Sequence, residues 1–554
     1  MKKRVIPIFA LLFLAASLLA NAQKQPYSFN NLPVIAKTLF KADTLNILNF
    51  GAKSDGVTLN TKSINDAIIA CNKKGGGVVL IPKGLWLSGP IELRSNVNLH
   101  LQKNAILQFT KDFSQYPLVA GNWEGLAQMR NQSPLWATNQ ENIAVTGFGI
   151  IDGAGDAWRM VKKEKLTESQ WKKLLASGGL TSADKKIWYP SEKTFNASGM
   201  KNPGEITANK TPEFYDSVKD FLRPNLLVLT ACKRILLEGV TFQNSPAWNI
   251  HPLMCEDLTV RNVYAKNPWY AQNGDGIDIE SCKNVLIEGS TFDVGDDGIC
   301  IKSGRDAAGR KRGMPTENVI IRNSTVYHAH GGFVIGSEMS GGARNIFVYD
   351  CSFIGTDIGL RFKTTRGRGG VVEKIFVKNI NMKDIVGEAI LFDMYYAAID
   401  PVPLTGEKRT APKIEILPVT EETPVFKDFH ISNVVCDGAS KAIFIRGLPE
   451  QSISNITLTD LSIKAHEGID IQEAKNISLT NVNLIATAVN PLFNIQNGSD
   501  INFKNINYNN AELLFRISGD RNNAIKTSGL DVSKAKTKTE FLAGAEAKVL
   551  QLNP

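Results

Sequence analysis

The sequence predicts an all-β chain folded as a single-stranded right-handed parallel β-helix, with an N-terminal capping helix and one loop-and-helix insertion. Three observations predict it. A short phrase recurs, as in "KRILLEGVTF" (233–242), "EDLTVRNVYA" (256–265), "KNVLIEGSTF" (283–292), "ENVIIRNSTV" (317–326), "RNIFVYDCSF" (344–353) and "EKIFVKNINM" (373–382). Each copy alternates apolar and polar residues over about six positions, the period of a strand, then turns at Gly, Asn or Asp. The third residues of these copies, Ile235, Leu258, Val285, Val319, Ile346 and Ile375, fall 23, 27, 34, 27 and 29 positions apart. A period of about 20–50 residues marks a stacked solenoid, and strand-rich coils of this length fit a parallel β-helix. A WD-type propeller would carry signature dipeptides that are missing here.

The elements follow in order. Lys2, Lys3 and Arg4 precede the apolar run "VIPIFALLFLAASLLA", and "ANAQ" supplies a small-x-small cleavage pattern. Residues 1–22 therefore read as a removed signal peptide, and the protein is expected to be exported to a periplasm or secreted. The apolar run is too short and wrongly flanked for a membrane span. A leader covers 23–44, and the solenoid is expected over 45–520. A helix starting at Thr61, with Ile64, Ala67, Ile68 and Cys71 on one face, would cap its open end and cover strand edges. "SNVNLHLQKNAIL" (95–107) and "ENIAVTGFGIIDG" (141–153) read as early coils. The phrase then disappears over about 156–225, an insertion holding an amphipathic helix with Thr167 as N-cap and Gly178 as stop. Coils resume with the phrases above and continue through "SDINFKNINY" (499–508), leaving a Lys- and Ala-rich tail at 521–554.

Composition narrows the function. The 554 residues are 43% hydrophobic and 21% charged, ordinary for a chain with a large core. A net charge of +9 favours an acidic partner: a nucleic acid, an anionic lipid surface or an acidic polysaccharide. Export argues against nucleic acid. The seven cysteines include no CxxC pair and lie in or beside strand runs, so buried free thiols are expected rather than disulfides or zinc.

Chemistry concentrates in two phrases, "NGDGIDIESC" (273–282) and "VGDDGICIKSG" (294–304). Asp275 and Asp296 are 21 residues apart, Asp297 and His330 33, and His330 and Arg361 31, all near the coil period. One wall of the solenoid would then carry carboxylates, an imidazole and the cations Arg361 and Lys363. Glycoside hydrolysis needs one protonated carboxyl and one carboxylate, and crowding lets one aspartate keep its proton. Arg361 and Lys363, one alternation apart, point the same way and can hold a sugar carboxylate. Singly, "NGDG" and "GDDG" are good turn sequences and His330 beside two glycines is an ordinary turn residue. Their joint spacing favours catalysis.

These motifs resemble the polygalacturonase family, family 28 of the glycoside hydrolases, which cut pectin galacturonan on a right-handed parallel β-helix. The family's Asn-Thr-Asp is matched by "NGD" (273–275), Gly-Asp-Asp by "GDD" (295–297), His-Gly by "HGG" (330–332) and Arg-Ile-Lys by "RFK" (361–363), with "NSPAWNIHP" (244–252) ahead of them. Gly274 and Phe362 depart from the pattern. The resemblance implies that Asp296 is the general acid, that Asp275 and Asp297 hold and deprotonate a water, and that the anomer inverts. His330 would support the acid, Arg361 and Lys363 would bind the galacturonate carboxylate, and Asn273 would orient the site. Asp278, His328, Arg366 and Arg368 are secondary candidates, and Tyr395 and Tyr396 compete for a site tyrosine. No cofactor and no metal are expected, and the partner is pectin or galacturonan, met by a monomer. The insertion, by walling one end of the groove, suggests exo action. The alternatives are a hydrolase of rhamnogalacturonan or another pectin region, a calcium-dependent pectate lyase, and a non-catalytic carbohydrate-binding β-helix.

Overall fold

The computed structural model describes residues 26–396 and 415–553. The signal peptide expected at 1–22 lies outside them. Residues 26–34 form a small unit of their own with a bridge between Ser28 and Asn31. The remainder is a right-handed parallel β-helix in which strands pair with their counterparts one coil away.

The phrase positions stack as the periodicity implies. Ile235, Leu258, Val285, Val319, Ile346 and Ile375 are in register along one column, and Phe429 continues it. All seven are buried in one continuous apolar core, while their strand neighbours point outward. Each coil turns at a residue with left-handed backbone: Asp257 (φ 58°), Asn284 (58°), Asn318 (61°) and Asn345 (56°) succeed one another. Asn is tolerated there because its short side chain bonds locally. These side chains also form a ladder, Asn284 donating to Asp257 (3.1 Å), Asn318 to Asn284 (3.0 Å) and Asn345 to Asn318 (3.1 Å).

The capping helix is Thr61–Lys73, and Ile64, Ala67, Ile68 and Cys71 are its buried residues. The insertion contains the helix Glu168–Ala176, capped by Thr167 and Gln170 bonding each other's backbone reciprocally. Two shorter helices, Glu192–Ala197 and Pro212–Ser217, and a three-stranded antiparallel sheet complete it. All seven cysteines are buried and free.

Coils run beyond residue 520. Asn523–Leu530, Ala535–Leu542 and Leu550–Leu552 pair in parallel with preceding coils. Their pattern was hard to read because the final coil covers the end of the core: Lys536, Thr537 and Lys538 alternate weakly and only partly buried positions pack inward.

One row of strands carries the site: β1 (Leu227–Thr230), β2 (Ile250–Leu253), β3 (Ile277–Glu280), β4 (Asp297–Lys302), β5 (Gly331–Ile335), β6 (Leu360–Lys363) and β7 (Glu388–Asp393). Ile277 and Ile279 on β3, and Ile299 and Ile301 on β4, fill the core. Alternation turns Asp278, Glu280, Cys300 and Lys302 to the other face, and Cα register sets Asp278 beside Cys300 and Glu280 beside Lys302.

Candidate active site

Asp275 lies in the turn entering β3, Asp296 just before β4, and Asp297 opens β4. One oxygen from each lies within 4.8 Å of the others. Backbone pairing between coils fixes this: the Asn249 N–H donates to the Asp275 carbonyl (2.9 Å) and the Gly276 N–H to the Asp297 carbonyl (2.9 Å). The next coils add the rest. The His330 N–H donates to the Asp296 carbonyl (2.9 Å), and Arg361 on β6 is in register with Val334 on β5. All seven expected residues therefore meet at one place.

Asp297 is the anchored carboxylate. Lys363 Nζ reaches its Oδ2 at 2.7 Å and Arg361 Nη1 its Oδ1 at 3.4 Å. Burial acts to raise its pKa, but Lys363, then Arg361 and Lys302, overcome that and hold it well below the usual carboxylate range. Asp275 behaves oppositely. Burial, then the charges of Asp278 and Asp296, push it well above that range, and its Oδ1 accepts no hydrogen bond. Crowding thus separates the acids, as two like charges in a dry site must.

Asp296 is the accessible member. Its Oδ2 accepts from the Asn273 N–H (3.2 Å) and its Oδ1 from the Asp297 N–H (3.0 Å). His330 Nδ1 stands 3.2 Å from Oδ1, and its Nε2 3.7 Å from Asp357. The hydrogen bond to Asp296 raises the His330 pKa against the opposing effect of burial. A proton is therefore held at the solvent edge of the site, one hydrogen bond from Asp296.

Asn273, whose N–H holds Asp296, is itself held in place. It has left-handed backbone (φ 53°), and its side-chain oxygen accepts from Arg223 Nη2 at 3.0 Å. Arg223 also donates to the Pro246 and Gln272 carbonyls, each at 3.0 Å, which ties the end of the insertion to the catalytic turn. Gly274 has a steric reason. A Cβ there would lie 2.7 Å from the Ala271 carbonyl oxygen and 2.8 Å from its Cβ. Phe362 points into the core against Phe333 and Phe392, so replacing isoleucine there leaves the ionisable groups in place.

The secondary candidates divide. Asp278 lies behind the site, 3.6 Å from Lys302. His328 pairs with Asp293 on a turn, Arg366 with Glu450, and Arg368 with Asp306 and the Ser337 carbonyl, so these three serve the scaffold. Tyr396 is the site tyrosine: its ring lies 4.9 Å from Lys363 Nζ and 5.8 Å from Arg361 Cζ. Tyr395 packs with the core and faces Arg366 and Arg446 instead.

Sequence reasoning missed a second charged layer. Buried Lys302 pairs with Glu338 at 3.0 Å and lies over the Trp248 ring at 5.0 Å. Burial would raise the Glu338 pKa, but Lys302 holds it down at about 2. Strand alternation could have found Lys302, two positions after Cys300. Arg223, Glu338 and Asp357 lie in irregular segments that period 2 does not reach. The three aspartates form, among the described residues, one cluster able to offer three carboxylate oxygens to a metal ion, but Lys363, Arg361 and Lys302 bring positive charge to the same point.

Asp278 yields a stability prediction. Burial, against the opposing effect of Lys302, lifts its pKa from 3.8 to about 8. The folded protein thus keeps a proton that the unfolded chain releases near pH 4. This contribution is complete below pH 4 and is lost as pH rises towards 8. Asp278→Asn is expected to melt within a degree of wild type at pH 4 and several degrees higher at pH 8. Equal melting temperatures at both values would contradict this account.

Comparison with known proteins gives a consistent result. Residues 213–423 match the family described as Glycosyl hydrolases family 28, and residues 44–170 match one described as Rhamnogalacturonase A/epimerase, pectate lyase-like. The chain is 30% identical to a hyperthermoactive exopolygalacturonase from Thermotoga maritima, whose crystal structure superposes with a TM-score of 0.66, covering 81% of this chain and 93% of that one. A probable polygalacturonase of Vitis vinifera is 28% identical, over 76% of this chain and 74% of its own. An exo-poly-alpha-D-galacturonosidase of Dickeya chrysanthemi is 26% identical, over 79% and 71%.

Proposed function

The chain belongs to the polygalacturonase family, family 28 of the glycosyl hydrolases, and we propose that it hydrolyses the bonds between galacturonic acid residues of pectin from chain ends, with inversion. The observation that carries this is the aspartate trio set against Arg361 and Lys363 in one site. Asp296, partly accessible and bonded to His330, protonates the leaving oxygen. Asp297 is kept ionised by its cations and takes the proton of the attacking water, which Asp275, its carboxyl held above the usual range, helps to hold. Arg361, the more accessible cation, with buried Lys363 behind it and Tyr396 beside them, holds a galacturonate carboxylate. A proton leaves water and another reaches the departing oxygen, so the exchange balances without a cofactor.

Inversion rests on Asp297 being a poor nucleophile: both of its oxygens are engaged by cations. The nearest oxygens are closer than the roughly 6.5–9.5 Å usual between inverting carboxyls, so the anomer of the product is the direct test. Proton NMR of the first turnover is expected to show the anomer opposite to that of the bond cut; retention would replace the base role of Asp297 by a covalent one.

Exo action is supported by the insertion. Its Val161, Trp171 and Trp188 pack with Tyr270, and Lys165 lies over Trp269, so it is built onto the loop that leads into Asn273 and Asp275. Early products from polygalacturonic acid are expected to be short and uniform, unaltered by a chelator and without the ultraviolet absorbance of unsaturated sugars. A broad oligomer ladder would overturn exo action, and chelator-sensitive unsaturated products would make the enzyme a lyase. Running rhamnogalacturonan alongside tests the pectin region. The basic and apolar N-terminal segment supports export, to a periplasm or as a secreted protein, where pectin is met. Among the described residues no helix is long and apolar enough to cross a membrane.

A further inference from the structure

A second cavity lies on the same face, two coils towards the N-terminus. It has a volume of about 480 Å³, within the range of small-molecule sites. The antiparallel hairpin of Leu118–Trp123 and Leu126–Asn131 covers it, outward residues of β1 and β2 form its floor, and Ala308 and Arg312 of the helix Asp306–Arg312 form one side. Trp248 separates it from the aspartates: its edge meets His251 in the cavity wall at 5.0 Å, its face meets Lys302 at 5.0 Å, and Trp123 stacks on it at 5.3 Å.

The lining is built for a ligand. Three amide oxygens, those of Asn122, Asn131 and Asn225, line it buried and without a hydrogen bond. Asn131 is 1% exposed and Asn225 4%. Buried acceptors left unpaired are rare and cost stability. Their orientation is fixed. Asn131 Nδ2 donates to the Lys219 (2.7 Å) and Leu222 (2.9 Å) carbonyls, which turns its oxygen the other way. Asn225 Nδ2 faces His251 Nδ1 at 3.2 Å, and His251 Nε2 faces ionised Glu280 at 2.9 Å. Asn225 sets its Nδ2 beside His251, which turns its oxygen elsewhere.

Charge adds the second requirement. Arg130, 8% exposed, lines the cavity and forms no ion pair among the described residues; it bonds the Arg223 carbonyl and lies over Trp123 at 3.8 Å. The Glu124 carboxylate acts on Arg130 only from beyond ion-pair distance and is itself paired with Arg305, so an anion in the chamber would supply the direct partner. Trp136, outward on its strand beside Val228, adds a flat apolar wall. Hydroxyl donors, one carboxylate and a ring face are together the attributes of a sugar acid.

We propose that this chamber is a second saccharide site, separate from the cleavage centre, which takes one uronic acid unit. Its carboxylate meets Arg130, its hydroxyls meet the three asparagine oxygens, and its ring lies on Trp136. The inference rests on the proposed function only for the choice of probe.

Calorimetric titration of the full chain with D-galacturonic acid, with galactose as the neutral control, tests it. Wild type is expected to bind two equivalents. Ala308→Trp, which fills the chamber from an exposed helix position, and Arg361→Ala, which weakens the cleavage centre, are each expected to bind one. Arg130→Gln should weaken the chamber at least tenfold and remove its preference over galactose. An Ala308→Trp isotherm identical to wild type, or galactose bound as tightly as galacturonate in the chamber, would overturn the proposal. The functional reading fails separately, if wild type leaves polygalacturonic acid uncut.

Discussion

Asp296→Asn is expected to lower kcat on polygalacturonic acid by about 10²–10⁴-fold, the span usually carried by a general acid. Asparagine keeps one oxygen, which accepts from either the Asn273 or the Asp297 N–H, groups that bond separate oxygens of Asp296 at 3.2 and 3.0 Å. The fold should survive, and a melting temperature within a few degrees of wild type would show that it does. KM should change little, because the lost proton acts in the transition state rather than in binding. Activity near that of wild type would remove Asp296 from the reaction and leave a carbohydrate-binding solenoid as the better reading.

Lys363→Met carries the second large effect. Lys363 is buried and bonds Asp297 at 2.7 Å, so its loss leaves a carboxylate paired only loosely with Arg361 at 3.4 Å, with Lys302 farther off. Truncating one partner of a buried charged pair costs about 3–5 kcal/mol, and the substrate carboxylate loses a cation as well. We expect kcat/KM to fall by at least about 100-fold, with KM raised. The pH profile supplies the specific signature. Asp297 is held below its unfolded value, so above about pH 4 it contributes stability and is ionised and available as base, and both are lost as pH falls through its folded pKa. Without Lys363 that pKa rises, and the acid limbs of both activity and melting should move to higher pH. An acid limb identical to wild type would show that Lys363 does not set the state of Asp297.

How much of this was legible in the sequence depends on periodicity. Ile235, Leu258 and Val285 repeat because each coil buries the same strand position, and that regularity made the register readable. Asp275, Asp296, Asp297, His330, Arg361 and Lys363 were readable for the same reason, since spacing near one coil implies stacking. Lys302 follows the same rule but stood in a phrase already attributed to Asp296 and Asp297. Arg223 and Glu338 obey no period: the first ends an insertion, and the second follows a turn whose path depends on packing. The choice of Tyr396 over Tyr395 turned on which ring faces the site cations, which adjacent positions in a sequence do not disclose. The last coil was obscured because a terminal layer has solvent on one side and needs little apolar contrast.

The asparagine ladder bears on how such a molecule can change over generations. A single residue added within a strand would exchange its inner and outer faces and break the stacked amides on that edge. Gain or loss of an entire turn of the solenoid keeps every rung aligned with a rung above and below. Length can therefore vary in whole turns, while novelty between them is confined to the connecting segments, where the 156–225 excursion and the hairpin over the second chamber are found.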